Sequence, residues 1–175
     1  MNTKSKEFDT FLKSEEIYCF DSKPMEDEEH TVVYRSYVQT EIGDMPIFVM
    51  LDDTAFSIVR VAMGNGVVNA DNQDKVYDFM NRENNNYKSF KYYVDTDDNS
   101  LYLDCVYICG PTHFEPQLLY ALMNQIVQYI PGVVADLRQV LGIEQLPDPF
   151  GQEHNHEEQE AEERVIAVTD TLKPH

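Results

Sequence analysis

The side chains with the spacing closest to a metal site are Asp95, Asp97 and Asn99. Oxygen ligands at alternate positions begin a calcium loop of the helix–loop–helix type, which needs a glycine at its sixth position and a carboxylate at its twelfth. Here those positions hold Ser100 and Val106. The pattern therefore favours a hairpin turn over a calcium site.

Histidines and a short glycine pair are the next candidates for chemistry. His154 and His156 lie among glutamates, but a structural metal site needs about four fixed ligands, so we expect adventitious binding at most. His30 and His113 have no Cys or Ser pattern around them that indicates a nucleophile. The 64–66 stretch, Gly-Asn-Gly, lacks the third glycine of a dinucleotide loop and indicates a turn.

Neighbouring aspartates and free cysteines complete the list of reactive groups. Asp52 and Asp53 are adjacent in a predicted turn, where successive side chains point apart, so they do not form an acid–base pair. Cys19, Cys105 and Cys109 give an odd count without a disulfide framework, which is typical of a reducing compartment. With no catalytic constellation left, the sequence predicts a non-enzymatic protein without a cofactor or metal.

The charge balance excludes several classes of partner. The chain has 32 acidic and 13 basic residues, for a net charge of -19. Such a field repels phosphate backbones and anionic lipids, and no run of Lys and Arg offsets it. No apolar run approaches the roughly 20 residues that cross a bilayer, and residues 1–16 hold no signal-peptide core. We expect a cytoplasmic protein that binds neither nucleic acid nor membrane.

The hydrophobic periodicity then predicts the elements that position these residues. Residues 5–16 have helical spacing, whereas residues 31–40, 46–51 and 56–63 predict three consecutive antiparallel strands. A helix over 72–83, capped by Asp71, comes next. It is followed by strands over 87–94 and 101–108 and by a last helix. The predicted fold is α+β, ordered α-βββ-α-ββ-α, with an antiparallel sheet packed by helices.

The second predicted strand is apolar in both phases. Ile47, Val49 and Leu51 face one way, and Phe48 and Met50 face the other. Strands that are apolar on both faces are covered on both faces, and a small domain has few helices to do this. Phe48 and Met50 are therefore predicted as a possible protein interface.

The last helix and the tail set the domain boundaries. Apolar residues step by three or four along the helix, which we expect Pro131 to kink or split and Gly142 to end. Its predicted buried stripe consists of Leu118, Leu122, Ile126, Ile130, Val133, Leu137 and Leu141. The chain then divides into an N-terminal helix and charged loop (1–30), an α+β domain (31–146) and an acidic tail (147–175) predicted to be disordered.

The element order, with Asn81 and Asn84 at the end of the second helix and Phe90 and Tyr92 on the next strand, resembles the YbjN family of bacterial proteins. The likeness covers about residues 31–142. It implies a fold similar to type III secretion chaperones, and an adaptor or regulator, often dimeric, without catalytic residues. Members are described as regulators of sensory transduction. From spacing alone, Asn81 and Asn84 share one side of a helix end, where capping and turn formation are favoured over binding.

Two functions remain open at this stage. The first is a protein-binding adaptor or chaperone-like module, a homodimer, that uses the apolar sheet face of Phe48 and Met50 or adds a peptide strand at a sheet edge. The second is a small-molecule sensor with a pocket between the sheet and the last helix. The identity of a protein partner is not encoded in any recognisable motif.

Overall fold

In the computed structural model, which describes residues 2–147, an antiparallel six-stranded sheet carries helices on one side. The helices are α1 (Thr3–Ser14), α2 (Gln73–Asn86) and α3 (Pro116–Leu141), with a short 3-10 turn at Pro111–His113. The strands are β1 (Asp21–Pro24), β2 (Val32–Val38), β3 (Met45–Leu51), β4 (Phe56–Gly64), β5 (Lys91–Asp95) and β6 (Ser100–Ile108). The predicted α+β class is confirmed.

The sheet has the strand order β1-β2-β3-β4-β6-β5. The predicted meander of three strands is present as β2, β3 and β4, joined by tight turns. Gly43 adopts a φ of 122° in the first turn, a conformation that strains any side chain. In the second turn, Asp52 accepts bonds from the backbone and hydroxyl of Thr54. The turns thus fix the register of the strand pairing, which the alternation of apolar and polar side chains alone does not determine.

The helices pack on the same face of this sheet. On α1, Phe8 contacts Tyr34 of β2, with ring centroids 5.0 Å apart. On α2, Phe79 contacts Tyr92 of β5, with ring centroids 5.3 Å apart. Tyr129 of α3 also reaches Tyr92, through a 3.1 Å hydroxyl hydrogen bond. The core of the domain therefore lies between the helices and one face of the sheet.

The N-terminus of α1 is fixed to the sheet by buried polar side chains. Lys4 is fully buried, and its Nζ donates to the Phe56 carbonyl at 2.8 Å and to Ser57 Oγ at 3.0 Å. Asn2 caps the helix and donates to the carbonyls of His30 and Leu51. Buried polar groups that have lost water need such partners, so α1 is held in one position.

The predicted charged loop over 21–30 is partly wrong, because its first four residues form β1. Asp21 to Pro24 pair with Arg35 to Val32 at the edge of the sheet. This strand could not be recognised from the sequence because all four residues are exposed and are either polar or proline. Such a composition is typical of sheet edges that are protected from pairing.

Several element boundaries also differ from the prediction. Asn72, and not Asp71, is the residue before α2, and its side-chain oxygen accepts from the Asn69 amide. Strand β5 begins at Lys91, four residues later than predicted, because Tyr87 and Phe90 stack on each other before the strand starts. The predicted split at Pro131 is wrong, because α3 continues through this residue with Ile130 before it and Val134 after it buried in the core.

The start of the buried stripe on α3 was predicted one residue early. Leu119 is fully buried, whereas Leu118 is 45% exposed. The predicted stripe is correct from Ile126 onward. Gly142 ends the helix in the left-handed conformation, with a φ of 70°, as predicted.

Among residues 2–147, α3 is also the helix that is long and apolar enough to cross a membrane by length and composition. Its fully buried residues Leu119, Ile126, Ile130 and Leu137 belong to the core between the helices and the sheet. Core helices of globular proteins have this composition, so the property carries no further conclusion.

Asn84 joins the end of α2 to the outer edge of β5. Its side-chain oxygen accepts from the Tyr92 amide at 2.7 Å, and its side-chain nitrogen donates to the Tyr92 carbonyl at 3.1 Å. The amide thus occupies both backbone groups of Tyr92, which a further strand would otherwise bind at this position. Asn84 therefore has this bridging role in place of the predicted capping and turn role, since α2 continues to Asn86, and Asn81 is exposed on the same helix.

We expect Asn84→Ala to lower the free energy of unfolding by about 1–3 kcal/mol, since it leaves a partly buried amide and carbonyl without their bonds. Asn85→Ala, at the exposed neighbouring position, is the matched control and should change it by less than about 0.5 kcal/mol. Urea denaturation followed by circular dichroism measures both. Equal effects of the two substitutions would contradict the role given to Asn84.

Candidate protein-binding face

The sheet face opposite the helices is formed by the other set of alternating side chains, and we call it the open face. Within residues 2–147, its central side chains remain partly buried or exposed. The register places Val33 beside Met50, Met50 beside Ile58, and Ile58 beside Val106. This produces one apolar row across β2, β3, β4 and β6.

A second apolar row lies at the end of the same face. Phe56 pairs with Ile108, and their side chains are 52% and 67% exposed, while Val106 beside them is 50% exposed. We call the six residues of both rows the apolar patch: Val33, Met50, Phe56, Ile58, Val106 and Ile108. Contiguous exposed apolar surface of this kind on a soluble protein typically marks an interaction site.

The middle of the open face is an ion pair enclosed by aromatic rings. Arg60 donates to both carboxylate oxygens of Asp104, at 3.0 and 2.8 Å. Its guanidinium carbon lies 5.1 Å from the ring centroid of Tyr102 and 5.6 Å from that of Tyr93. A bidentate pair held by two rings is geometrically fixed, which gives the face a rigid centre.

The predicted interface residues both lie on β3, next to this arrangement. Phe48 pairs with both Arg35 and Arg60, and Met50 belongs to the apolar patch. The structure therefore places both on one face, as the sequence predicted, and leaves them partly buried. It does not test whether they bind a partner.

The more exposed members of the patch were missed by sequence reasoning. Strand β6 buries Leu101, Leu103 and Cys105 in one phase but carries Val106 and Ile108 in the other. A strand that becomes apolar in both phases gives the same signal as β3, so these residues could have been found by the same argument.

The two sheet edges are less suited to strand addition than the face is to packing. On the β5 side, Asn84 occupies the backbone groups of Tyr92. On the β1 side, the edge has four residues and ends in Pro24, which has no amide hydrogen. Both features are devices that block edge pairing.

The candidate chemical groups named from sequence form turns. The Asp95 carboxylate accepts from the Asp97 amide at 3.0 Å, and Asn99 adopts a φ of 59° in the β5–β6 hairpin. Asp53 contacts the exposed His30 ring at 2.8 Å, whereas Asp52 bonds elsewhere, so the two aspartates do not act as a pair.

No group of three His, Cys, Asp or Glu side chains that could hold a metal occurs in the described part of the chain. His154 and His156, and the predicted disordered tail, lie outside the described residues. The three cysteines are unbridged, with Cys105 buried and Cys19 exposed. Burial raises the pKa of the Cys105 thiol, which keeps it protonated and unreactive at neutral pH.

A modest cleft among the described residues lies near the place predicted for the sensor pocket. A cleft of about 380 Å³ lies between the β2–β3 turn and α3, lined by Gln39, Thr40, Glu41, Pro131 and Val134. Deeper along the helix, the side chains toward the sheet are fully buried in the core. The cleft is therefore located at the end of the sheet, and the sensor function stays a prediction.

No protein-family model matches the chain, and no curated protein matches it. The likeness to the YbjN family accordingly stays an expectation from the sequence.

The pKa of Tyr93 depends on the geometry of the open face. Partial burial, and next the Asp104 carboxylate, raise the pKa of Tyr93 to about 12, against a lowering by Arg60. The neutral phenol is the form that this environment favours. The contribution of Tyr93 to the free energy of unfolding is therefore present below pH 10 and is lost as the pH rises from about 10 to about 12.

We expect Asp104→Asn to lower the pKa of Tyr93 toward its ordinary value, because the mutation removes a repulsive charge and frees Arg60 to stabilise the phenolate. The measurement is a pH titration by NMR of ring-labelled tyrosine. Asp136→Asn on α3 is the control and should leave the titration unchanged. A Tyr93 pKa that does not respond to Asp104→Asn would refute the described cluster.

Proposed function

We propose that this protein is a non-enzymatic protein-binding adaptor or chaperone-like module, and that the open face is its binding surface. The observation that carries the proposal is the apolar patch, with Ile108 67% exposed at its edge. Burial of these apolar side chains against a partner removes them from water. This stabilises the complex by roughly 25 cal/mol per Å² of apolar surface buried.

The composition of the face supports protein as the partner. Interfaces are enriched in aromatic residues, Met and Arg, and depleted of Lys and Glu at their centres. Here Met50, Phe48 and Arg60 lie at the centre of the sheet, with Tyr93 and Tyr102 beside them. Such aromatic and Arg side chains are also those that most often dominate binding energy.

A second copy of the chain is the first partner that we propose. Strands spaced about 4.8 Å apart give the six-stranded face a width of about 24 Å, and a length of roughly 20–25 Å. Two such faces in contact bury on the order of 1,000 Å², near the lower limit for a specific interface. We therefore infer a weak homodimer whose face a different protein can take over.

The charges on the open face allow this pairing. The whole chain has 32 acidic and 13 basic residues, yet basic and acidic positions are nearly balanced on this face. The register assigns these charged residues to it: Lys23, Arg35, Arg60, Lys91, Asp21, Asp95 and Asp104. The open face is thus where two strongly acidic molecules repel each other least, and salt screens what repulsion remains.

We expect the wild-type chain to dimerise in the micromolar range by multi-angle light scattering, and the dimer to persist or tighten at high salt. Met50→Lys, Phe48→Lys or Ile108→Lys should each weaken it at least tenfold, because a charge is then buried in the contact. Leu118→Lys, at a 45% exposed position on α3, is the matched control and should not weaken it.

Circular dichroism and thermal unfolding show whether each variant remains folded. A monomer mass for the wild-type chain at both low and high salt would exclude the homodimer. Equal weakening by Leu118→Lys would move the interface from the open face to the helices.

A further inference from the structure

The apolar patch has a second possible occupant within the same chain. Beyond the described residues, the chain is acidic and poor in apolar residues until Val165, Ile166, Ala167 and Val168, which we call the apolar tail segment. Three of its four residues are β-branched, a side-chain type that packs well on a pleated surface. The preceding run 157–163 is rich in glutamate.

The point where the described chain ends determines what this segment can reach. The Leu146 amide donates to the Ile42 carbonyl at 2.7 Å, and Gln145 donates to Glu41 at 3.2 Å. The chain therefore leaves the domain at the β2–β3 turn, at one end of the sheet. Both faces are accessible from that end.

The chain between that point and the apolar tail segment is long enough to reach the patch. From the β2–β3 turn, Met50 lies about five residues along β3 from Met45, so the patch is roughly 20–25 Å away once the strand spacing is included. Residues 148–164 amount to about 17 residues, and at roughly 3.3–3.6 Å per residue when fully extended this length of chain exceeds the distance to the patch. A linker that can span two sites makes binding at the second site intramolecular, which raises the effective concentration of the segment.

Charge also selects the open face as the docking place. An acidic segment is repelled by an acidic domain, and the chain as a whole has a net charge of -19. On the open face, however, Lys23 and Arg35 lie beside the patch, opposite Val33 and Phe48 respectively. A glutamate-rich run is repelled less by a face with nearly balanced charges than by an acidic surface.

We propose that the apolar tail segment docks in cis on the apolar patch and covers it until a protein partner, or a second copy of the chain, displaces it. The proposal rests on the function proposed above for the open face. An occupied patch weakens dimerisation, because tail and partner compete for the same side chains. Exposed apolar surface is then available only to a partner that binds more tightly than the tail.

The test uses the absence of tryptophan from the chain. Ile166→Trp places a single fluorescent reporter in the apolar tail segment of the full-length protein. We expect its emission to be blue-shifted relative to free tryptophan in water, and independent of protein concentration at nanomolar levels, because the contact is within one molecule. Adding Ile108→Lys to this variant should shift the emission to that of solvated tryptophan.

Leu118→Lys in the same background is the matched control and should leave the blue shift unchanged. Water-like emission at every concentration would overturn the proposal, and so would a blue shift that appears only as concentration rises. Failure of tail docking can be distinguished from failure of the proposed function. Tail docking is measured by fluorescence on monomers, whereas dimerisation is measured by light scattering of the unmodified chain.

Discussion

A sheet has two faces, and the packing of helices on one of them determines the rest of this structure. Phe8 and Phe79 lie on α1 and α2, and each closes on an aromatic side chain of the same sheet face. The N-terminal helix could have covered the other face, yet Lys4 and Asn2 fix it to backbone carbonyls at the helix side. Burial of one face is thereby complete, and the opposite face keeps its apolar residues near water.

The open face combines a fixed centre with an apolar margin. Arg60, Asp104 and the two tyrosine rings form a rigid polar cluster, whereas the apolar patch at the β3–β4 turn end has exposed side chains. Rigid polar groups favour correct orientation of a partner, and apolar burial supplies the affinity. In the proposed function, the edge groups occupied by Asn84 and the short edge ending at Pro24 would favour association through the face over strand pairing.

Much of the fold could be predicted from local pattern, because β3 is a continuous apolar run between turn residues and α3 has a helical apolar period that few alternatives satisfy. Strand β1 could not be predicted, since its residues are exposed and its pairing depends on β2 being already in place. The buried stripe on α3 was predicted to begin at Leu118, whereas Leu119 is the buried residue, because two adjacent leucines satisfy the helical period equally well. Only packing against the sheet decides between them.

The candidate site was predictable in part for a related reason. Phe48 and Met50 could be found because β3 is apolar in both phases, and the same signal in β6 marks Val106 and Ile108. Which face would be left uncovered depends on where α1 docks. That choice is set by contacts of Lys4 with residues more than fifty positions away, such as Phe56, which no local pattern contains.

The central claim is that the open face associates with protein, and methyl NMR on a dilution series of the wild-type chain tests it most directly. Methyl groups of Met50, Ile58 and Ile108 should change their chemical shifts with concentration, while those of buried Val49 and Leu103 should not. Shifts confined to exposed residues of α3, such as Leu118, or no concentration dependence up to millimolar protein, would contradict the claim.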